Sequence, residues 1–91
     1  MLKYFKKRKN FNRIKKLIKT KEIKEFTNIA GFPMRTVYLI DTVYIIQDDD
    51  PYANGWRYGV LEGGKEVYLD CLDCWRLFDL AEEQYRFNNS V

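Results

Sequence analysis

The sequence predicts a single α+β domain spanning residues 1–91, in which helices flank a small antiparallel β-sheet. Three observations predict this class. Apolar residues recur at helical spacing near the N-terminus, a Gly-Gly turn joins two strand-like segments in residues 56–69, and a second amphipathic helical pattern follows them. We expect a basic N-terminal helix or helix pair, about three or four strands and a C-terminal amphipathic helix. The sheet is compatible with the wing of a winged-helix domain or with an SH3-like barrel.

The composition is that of a folded domain. Hydrophobic residues make up 46% and aromatic residues 16% of the sequence, which is too apolar for a disordered chain. The sequence contains no apolar run near the roughly 18 residues of a membrane span, and we expect no signal peptide. Two cysteines do not suggest a secreted disulfide scaffold, so we expect a reduced, cytoplasmic protein without membrane contact.

The charge is divided unevenly along the chain. Residues 1–28 hold eleven Lys and Arg against two Glu, whereas residues 29–91 hold five Lys and Arg against eleven Asp and Glu. The net charge of +3 therefore conceals about +9 in the first part and −6 in the second. A basic segment of this density attracts phosphates or acidic surfaces. The alternative is a solvated helix face, or a segment neutralised by the acidic part of the same chain.

The first helix is predicted from an apolar stripe that follows a charged arm. We expect residues 1–10 to form this arm and to be flexible. The stripe has one helical face, formed by Phe11, Ile14, Leu17 and Ile18. The helical spacing of the apolar residues is interrupted near Thr20. Thr20 can cap a second helix, and this helix would end at Gly31, where a left-handed residue is favoured.

Residues 33–40 fit either a helix or a strand. Pro33 suits the first turn of a helix. Thr36, Val37 and Tyr38 favour an extended chain, so propensity leans toward a strand. Residues 42–47 then predict a strand, and residues 48–55 predict a loop.

The hairpin in residues 56–69 has a register that follows from its turn. Gly63-Gly64 tolerates positive φ at both positions and places Glu62 opposite Lys65. The same register turns one set of side chains into the core, namely Tyr58, Val60, Val67 and Leu69.

The last helix begins after Asp70, a favourable N-cap residue. Over residues 71–87 one face collects the apolar side chains, namely Cys71, Cys74, Trp75, Leu77, Phe78, Ala81 and Tyr85. We expect both cysteines to be buried, with an inter-chain zinc or disulfide and redox chemistry as the alternatives.

The residue content argues against an enzyme. The sequence has no His, which removes His-based triads and His metal sites. Phosphate-binding glycine loops and a nucleophile elbow are also absent from the sequence. The run Asp48-Asp49-Asp50 does not have EF-hand spacing and is interpreted as a solvated turn. We therefore expect no catalytic residue, no metal and no cofactor.

One segment resembles a known motif. The run IKEFTNIAGFPMRTVYLI, residues 23–40, resembles the helix-turn-helix of bacterial and phage regulators. The matching positions are a corner glycine and an apolar set, namely Phe26, Ala30, Gly31, Phe32, Val37 and Ile40. Thr27 and Pro33 depart from the usual pattern, which favours Ala and Ser there. The resemblance implies that Pro33, Met34, Arg35 and Tyr38 face the major groove of DNA.

Two functions are predicted. The first is a small, non-enzymatic nucleic-acid-binding regulator, with DNA favoured over RNA. Its contacts would come from the basic segment and the motif, namely Lys6, Lys7, Arg8, Lys9, Arg13, Lys15, Lys16, Lys19, Arg35 and Tyr38. The alternative is a regulator or inhibitor of a host protein, of the kind that phages and mobile elements carry. Its contacts would be Asp48, Asp49, Asp50, Tyr52 and Trp56. A homodimer is compatible with both functions.

Overall fold

The chain folds as two helices and one five-stranded antiparallel sheet. The structure, a computed structural model, describes residues 2–29, 32–50 and 55–90. The elements in chain order are α1 (Leu2–Thr20), β1 (Ile23–Ile29), β2 (Phe32–Ile40), β3 (Val43–Asp50), β4 (Gly55–Glu62), β5 (Lys65–Glu66) and α2 (Cys71–Asn89). The strands lie in sequence order, β1-β2-β3-β4-β5, in an open sheet. The predicted α+β class is confirmed, with one more strand than expected and with an open sheet instead of a barrel.

Helix α1 includes the segment that was predicted to be a separate arm. It starts at Leu2 and continues without a break through the apolar stripe to Thr20. Phe11, Ile14 and Ile18 of the stripe are buried, as predicted. Thr20 does not cap a second helix. Its hydroxyl donates a 2.8 Å hydrogen bond to the Lys16 carbonyl within the last turn of α1.

The prediction of a helix over residues 23–31 is wrong. Residues 23–29 form β1 and pair with β2, with Ile23 opposite Ile40 and Phe26 opposite Val37. Ile23 and Phe26 are three residues apart, which suits one face of a helix, whereas in β1 they point to opposite faces of the sheet. Pairing with β2 overrides this local spacing. Residues 33–40 are therefore a strand, and the helix pair implied by the helix-turn-helix resemblance does not form. The predicted corner, Ala30 and Gly31, lies outside the described residues.

The hairpin of β4 and β5 confirms its predicted register. Glu62 lies opposite Lys65, and the amide of Val67 donates a 2.9 Å hydrogen bond to the Val60 carbonyl. Gly63 and Gly64 have φ of 61° and 77°, the left-handed values that the two-residue turn requires.

The core lies between one face of the sheet and the two helices. Alternate residues of the central strands point into it, including Tyr38 and Ile40 from β2, Val43 and Ile45 from β3, and Val60 from β4. Tyr58, Val67 and Leu69, which were also predicted to face inward, are partly buried against this core. The opposite face of the sheet, its open face, carries no helix among the described residues.

Helix α2 crosses the sheet and packs against α1. Cys74, Leu77, Phe78 and Ala81 are buried, as predicted, and Tyr85 is partly buried. Cys71 and Trp75 were also predicted to face the core, and both are exposed. They lie at the borders of the apolar stripe, where a helical wheel alone does not fix burial. Within the described residues, neither helix is long and apolar enough to cross a membrane.

Candidate nucleic-acid interface

Helix α1 concentrates positive charge on one element. Its 19 residues contain no Asp or Glu and nine Lys and Arg. Besides Arg13, which pairs with Glu62, five of these cations are exposed, namely Lys6, Arg8, Lys9, Lys16 and Lys19, and Lys15 is half-buried. None of these six makes an ion pair with a described residue, although the guanidinium of Arg8 lies 5.8 Å from the centre of the Phe11 ring. Their charge therefore faces solvent.

Two other cations of α1 fix the helix to the domain. The ammonium of Lys7 pairs with Asp70 at the start of α2 and lies over the Tyr68 ring. Its hydrogen bond to Asp70 raises the pKa of the Lys7 ammonium. Asp70 occupies the predicted N-cap position of α2, but its side chain makes no capping hydrogen bond, and Lys7 is its partner instead.

The second attachment joins α1 to the edge of the sheet. Arg13 donates hydrogen bonds of 2.8 and 3.1 Å to both carboxylate oxygens of Glu62 at the end of β4. These bonds lower the pKa of Glu62, because they favour its charged form. The side chain of Asn10 also donates to the Tyr68 carbonyl. Lys7 and Arg13, both predicted to contact nucleic acid, therefore serve in part to dock α1.

The outward side of α1 is an exposed ridge that carries three lysines. Its members recur at spacings of four and three residues, which places them along one line of the helix, and they are Phe5, Lys9, Asn12, Lys16 and Lys19. Along the helix axis, the backbones of Lys9 and Lys19 are about 15 Å apart, because an α-helix rises about 1.5 Å per residue. We refer to these five residues as the α1 ridge.

A groove between the two helices runs beside the α1 ridge. It is open to solvent, has a volume of about 530 Å³ and is lined by Lys15 and Lys19 from α1 and by Leu80, Glu83 and Phe87 from α2. The ring of Phe87 is 75% exposed, far more than an aromatic residue in a core. Phe87 was not among the residues predicted to bind nucleic acid. Its position on α2 one turn beyond Glu83, outside the apolar stripe, was the available signal.

The structure separates the remaining predicted nucleic-acid contacts from α1. Tyr38 is 1% exposed and its ring packs in the core against Phe78 and Tyr85. Its predicted contact with a DNA groove is therefore wrong. Arg35 lies on the open face of the sheet, opposite the helices, and its guanidinium forms a 2.9 Å ion pair with Asp48. It does not extend the α1 ridge.

The residues predicted for the alternative function fall mostly outside the described structure. Asp48 is half-buried and bound to Arg35. The backbones of Asp49, Asp50 and Trp56 belong to β3 and β4, but their side chains lie outside what the structure describes, as does the whole of Tyr52. The predicted acidic contact surface stays a prediction.

Neither cysteine forms a disulfide, and the two differ in environment. Cys71 is exposed, whereas burial raises the pKa of the Cys74 thiol to about 11. A thiol with so high a pKa is a poor nucleophile at neutral pH. Among the described residues, no group of three or more His, Cys, Asp or Glu side chains is arranged to hold a metal ion.

Comparison with known proteins returned no match. No family model, no curated protein and no solved structure was found to be significantly similar to this chain.

Proposed function

We propose that the protein binds nucleic acid, DNA in preference to RNA, and that α1 contacts the phosphate backbone. The observation that carries this proposal is the α1 ridge together with its flanks, which present Lys6, Arg8, Lys9, Lys15, Lys16 and Lys19 without an ion-pairing partner among the described residues. Cations of this number and density bind phosphates by displacing condensed counterions.

The docking of α1 supports a binding role over a purely solvating one. Salt bridges to Asp70 and Glu62 hold the helix in place, as do its buried residues Phe11, Ile14 and Ile18. The backbone positions of the ridge lysines are therefore fixed before a ligand arrives, which lowers the entropic cost of binding.

The groove beside the ridge adds a surface for bases. Lys15 and Lys19 line its α1 side, and the exposed ring of Phe87 lines its α2 side. A base can stack on Phe87 while these lysines contact the flanking phosphates. Because Arg35 lies on the opposite face of the sheet, the proposed binding is independent of base sequence.

The test is a fluorescence-anisotropy titration of a labelled random 20-mer, duplex and single-stranded, at several salt concentrations between 50 and 200 mM. We expect the affinity to fall steeply with salt. The variant Lys9→Gln/Lys16→Gln should reduce the slope of log K against log[salt] by about two for duplex DNA, because each phosphate contact contributes about 0.9.

A matched control changes the same number of charges elsewhere. Lys65 and Arg76 are exposed cations outside α1. The variant Lys65→Gln/Arg76→Gln should keep the wild-type slope. If this control loses as much affinity as the α1 variant, binding reflects net charge and not the ridge. Absence of binding at 50 mM salt would contradict the proposal. Parallel titrations with RNA of the same length test the preference for DNA.

A regulatory contact with a host protein through the acidic and aromatic part of the chain stays the alternative. The α1 charge favours nucleic acid over this second function. The free thiols of Cys71 and Cys74 fit a reducing compartment, and we place the protein in the cytoplasm as part of the same proposal.

A further inference from the structure

The groove between the two helices has walls of opposite charge. Lys15 and Lys19 lie on its α1 side, whereas Glu83 lies on its α2 side and is the only acidic residue among the described residues that line it. Glu83 is exposed and forms no ion pair with either lysine. Arg86 also lines the α2 side, but its guanidinium pairs with Glu82 at 3.5 Å. Within the described part of the chain, the groove therefore separates one unpaired carboxylate from two unpaired ammonium groups.

This division of charge orients a nucleic-acid strand that enters the groove. The carboxylate of Glu83 repels phosphates, whereas the ammonium groups of Lys15 and Lys19 attract them. The phosphate backbone then lies on the α1 side, and the bases point toward α2. Glu83 is therefore placed to contact a base and not the backbone.

Glu83 and the exposed ring of Phe87 are neighbours on one line of α2. They are four residues apart, and side chains at this spacing have Cβ atoms about 5–6 Å apart on a helix surface. A base that stacks on the Phe87 ring therefore brings its Watson–Crick edge within reach of the Glu83 carboxylate. Gln84 also lines the groove, but its amide nitrogen donates a 2.9 Å hydrogen bond to Asn88. Glu83 is thus the acceptor that the α2 wall offers to a base.

The four bases differ in what they present to a carboxylate, which only accepts hydrogen bonds. The Watson–Crick edge of guanine has two adjacent donors, N1–H and the N2 amino group, and these match the two oxygens of one carboxylate. Adenine and cytosine have one amino donor beside a ring nitrogen that is an acceptor. Thymine has one N–H donor between two carbonyl oxygens, which a carboxylate repels. Guanine is therefore the base that fits Glu83 best.

We propose that Glu83 makes the groove selective for guanine in single-stranded DNA. This inference rests on the proposed function and deepens it. The phosphate contacts of α1 do not distinguish bases, and Glu83 adds a preference only at the one base that occupies the groove. In a duplex the Watson–Crick edge is already paired, so we expect no preference there.

The test compares two single-stranded DNA decamers by fluorescence anisotropy. One consists of thymidines, and the other alternates thymidine and guanosine. Lithium chloride serves as the salt, since it does not support the association of guanine-rich strands. We expect the guanine strand to bind about fivefold tighter, toward the lower end of the range for a bidentate base contact. Both affinities should fall between 50 and 200 mM salt while their ratio stays constant, because the two strands have the same number of phosphates.

Two changes should remove this preference, and a third should not. A strand with inosine in place of guanosine keeps the purine ring and N1–H but lacks the N2 amino group, and should lose most of the preference. Glu83→Gln should do the same, because an amide presents one acceptor beside a donor. Asp79→Asn is the matched control and should keep the wild-type ratio. Asp79 is also exposed and without an ion pair among the described residues of α2, but it does not line this groove.

The outcomes separate this inference from the proposed function. Equal binding of the two DNA strands by the wild-type chain overturns the selectivity and leaves phosphate binding by α1 in place. A preference that Glu83→Gln retains also overturns it, as does one that inosine leaves unchanged, since stacking on Phe87 would then account for the difference. If neither strand binds at 50 mM salt, the proposed function fails and this inference fails with it.

Discussion

The hydroxyl of Tyr38 donates a 2.7 Å hydrogen bond to the carboxylate of Glu25, the residue directly opposite it on the neighbouring strand. The Tyr38 ring lies in the core, with its centre 5.2 Å from that of Phe78 and 5.7 Å from that of Tyr85 on α2. One side chain therefore connects β1, β2 and α2. Burial and the hydrogen bond to Glu25 both raise the pKa of the Tyr38 phenol, so it stays protonated.

Removing this hydroxyl should destabilise the domain without unfolding it. Tyr38→Phe keeps the ring and loses a hydrogen bond to a charged acceptor, so we expect a loss of about 1–2 kcal/mol in the free energy of unfolding. Glu25 is exposed, and water can solvate its carboxylate in the variant. Urea titration followed by circular dichroism measures the change. Tyr44→Phe, at an exposed tyrosine, is the control and should change stability by less than about 0.5 kcal/mol.

The buried thiol of Cys74 makes stability depend on pH in the alkaline range. Its pKa is about 11 in the folded chain, above its ordinary value of 9.0. Above pH 9 the unfolded chain releases this proton while the folded chain keeps it, so stability is fully present below pH 9 and falls as pH rises toward 11. We expect a loss of about 1 kcal/mol between pH 8 and pH 10.

The measurement is the midpoint of urea unfolding at pH 8, 9 and 10 under reducing conditions. Cys74→Ala has a lower midpoint at every pH, because it leaves a small cavity, but its decline with pH should be shallower. Cys71→Ala, which changes an exposed thiol, should retain the wild-type decline. Equal slopes for all three proteins would show that Cys74 does not control this dependence.

The turn glycines should differ sharply from the strand glycine in their tolerance of alanine. Gly64 has φ of 77°, which an L-residue with a side chain adopts only with strain, so Gly64→Ala should cost about 1 kcal/mol or more. Gly59 lies within β4 with open space where a Cβ would be placed, so Gly59→Ala should be neutral or slightly stabilising. Thermal unfolding compares the two variants directly.

The sequence contained enough information for the hairpin and for both helices, because local physics determines them. Gly63 and Gly64 set the register of β4 and β5, and the apolar stripes of α1 and α2 set their buried faces. Strand β1 was missed because Ile23 and Phe26 are spaced as on a helix face, and its strand conformation follows from its pairing with β2. That pairing is a contact between segments, which residue spacing within one segment does not reveal.

The candidate site could be predicted from the sequence only in part. The charge of α1 is visible in the sequence, but the partition of its cations is not, since it depends on which acids the fold brings near. Lys7 and Arg13 meet Asp70 and Glu62 from distant parts of the chain. Tyr38 was predicted to contact DNA because the helix-turn-helix resemblance implies that it faces the major groove. As a strand residue it alternates with Val37 and points into the core.

Phe87 provides a test of the proposed groove that charge alone cannot mimic. If bases stack on its exposed ring, Phe87→Ala should weaken binding of single-stranded DNA by about 1–3 kcal/mol, a loss of about 5- to 160-fold, and should leave duplex binding nearly unchanged. The salt dependence should stay at the wild-type slope, because no phosphate contact is removed. Leu72→Ala removes an apolar side chain that is also exposed on α2, and should not affect either substrate. Anisotropy titrations of both DNA forms with both variants distinguish the loss of base stacking from the effect of removing any exposed apolar side chain of α2. Equal losses for duplex and single strand would place the bases away from Phe87, since paired bases are not free to stack on its ring.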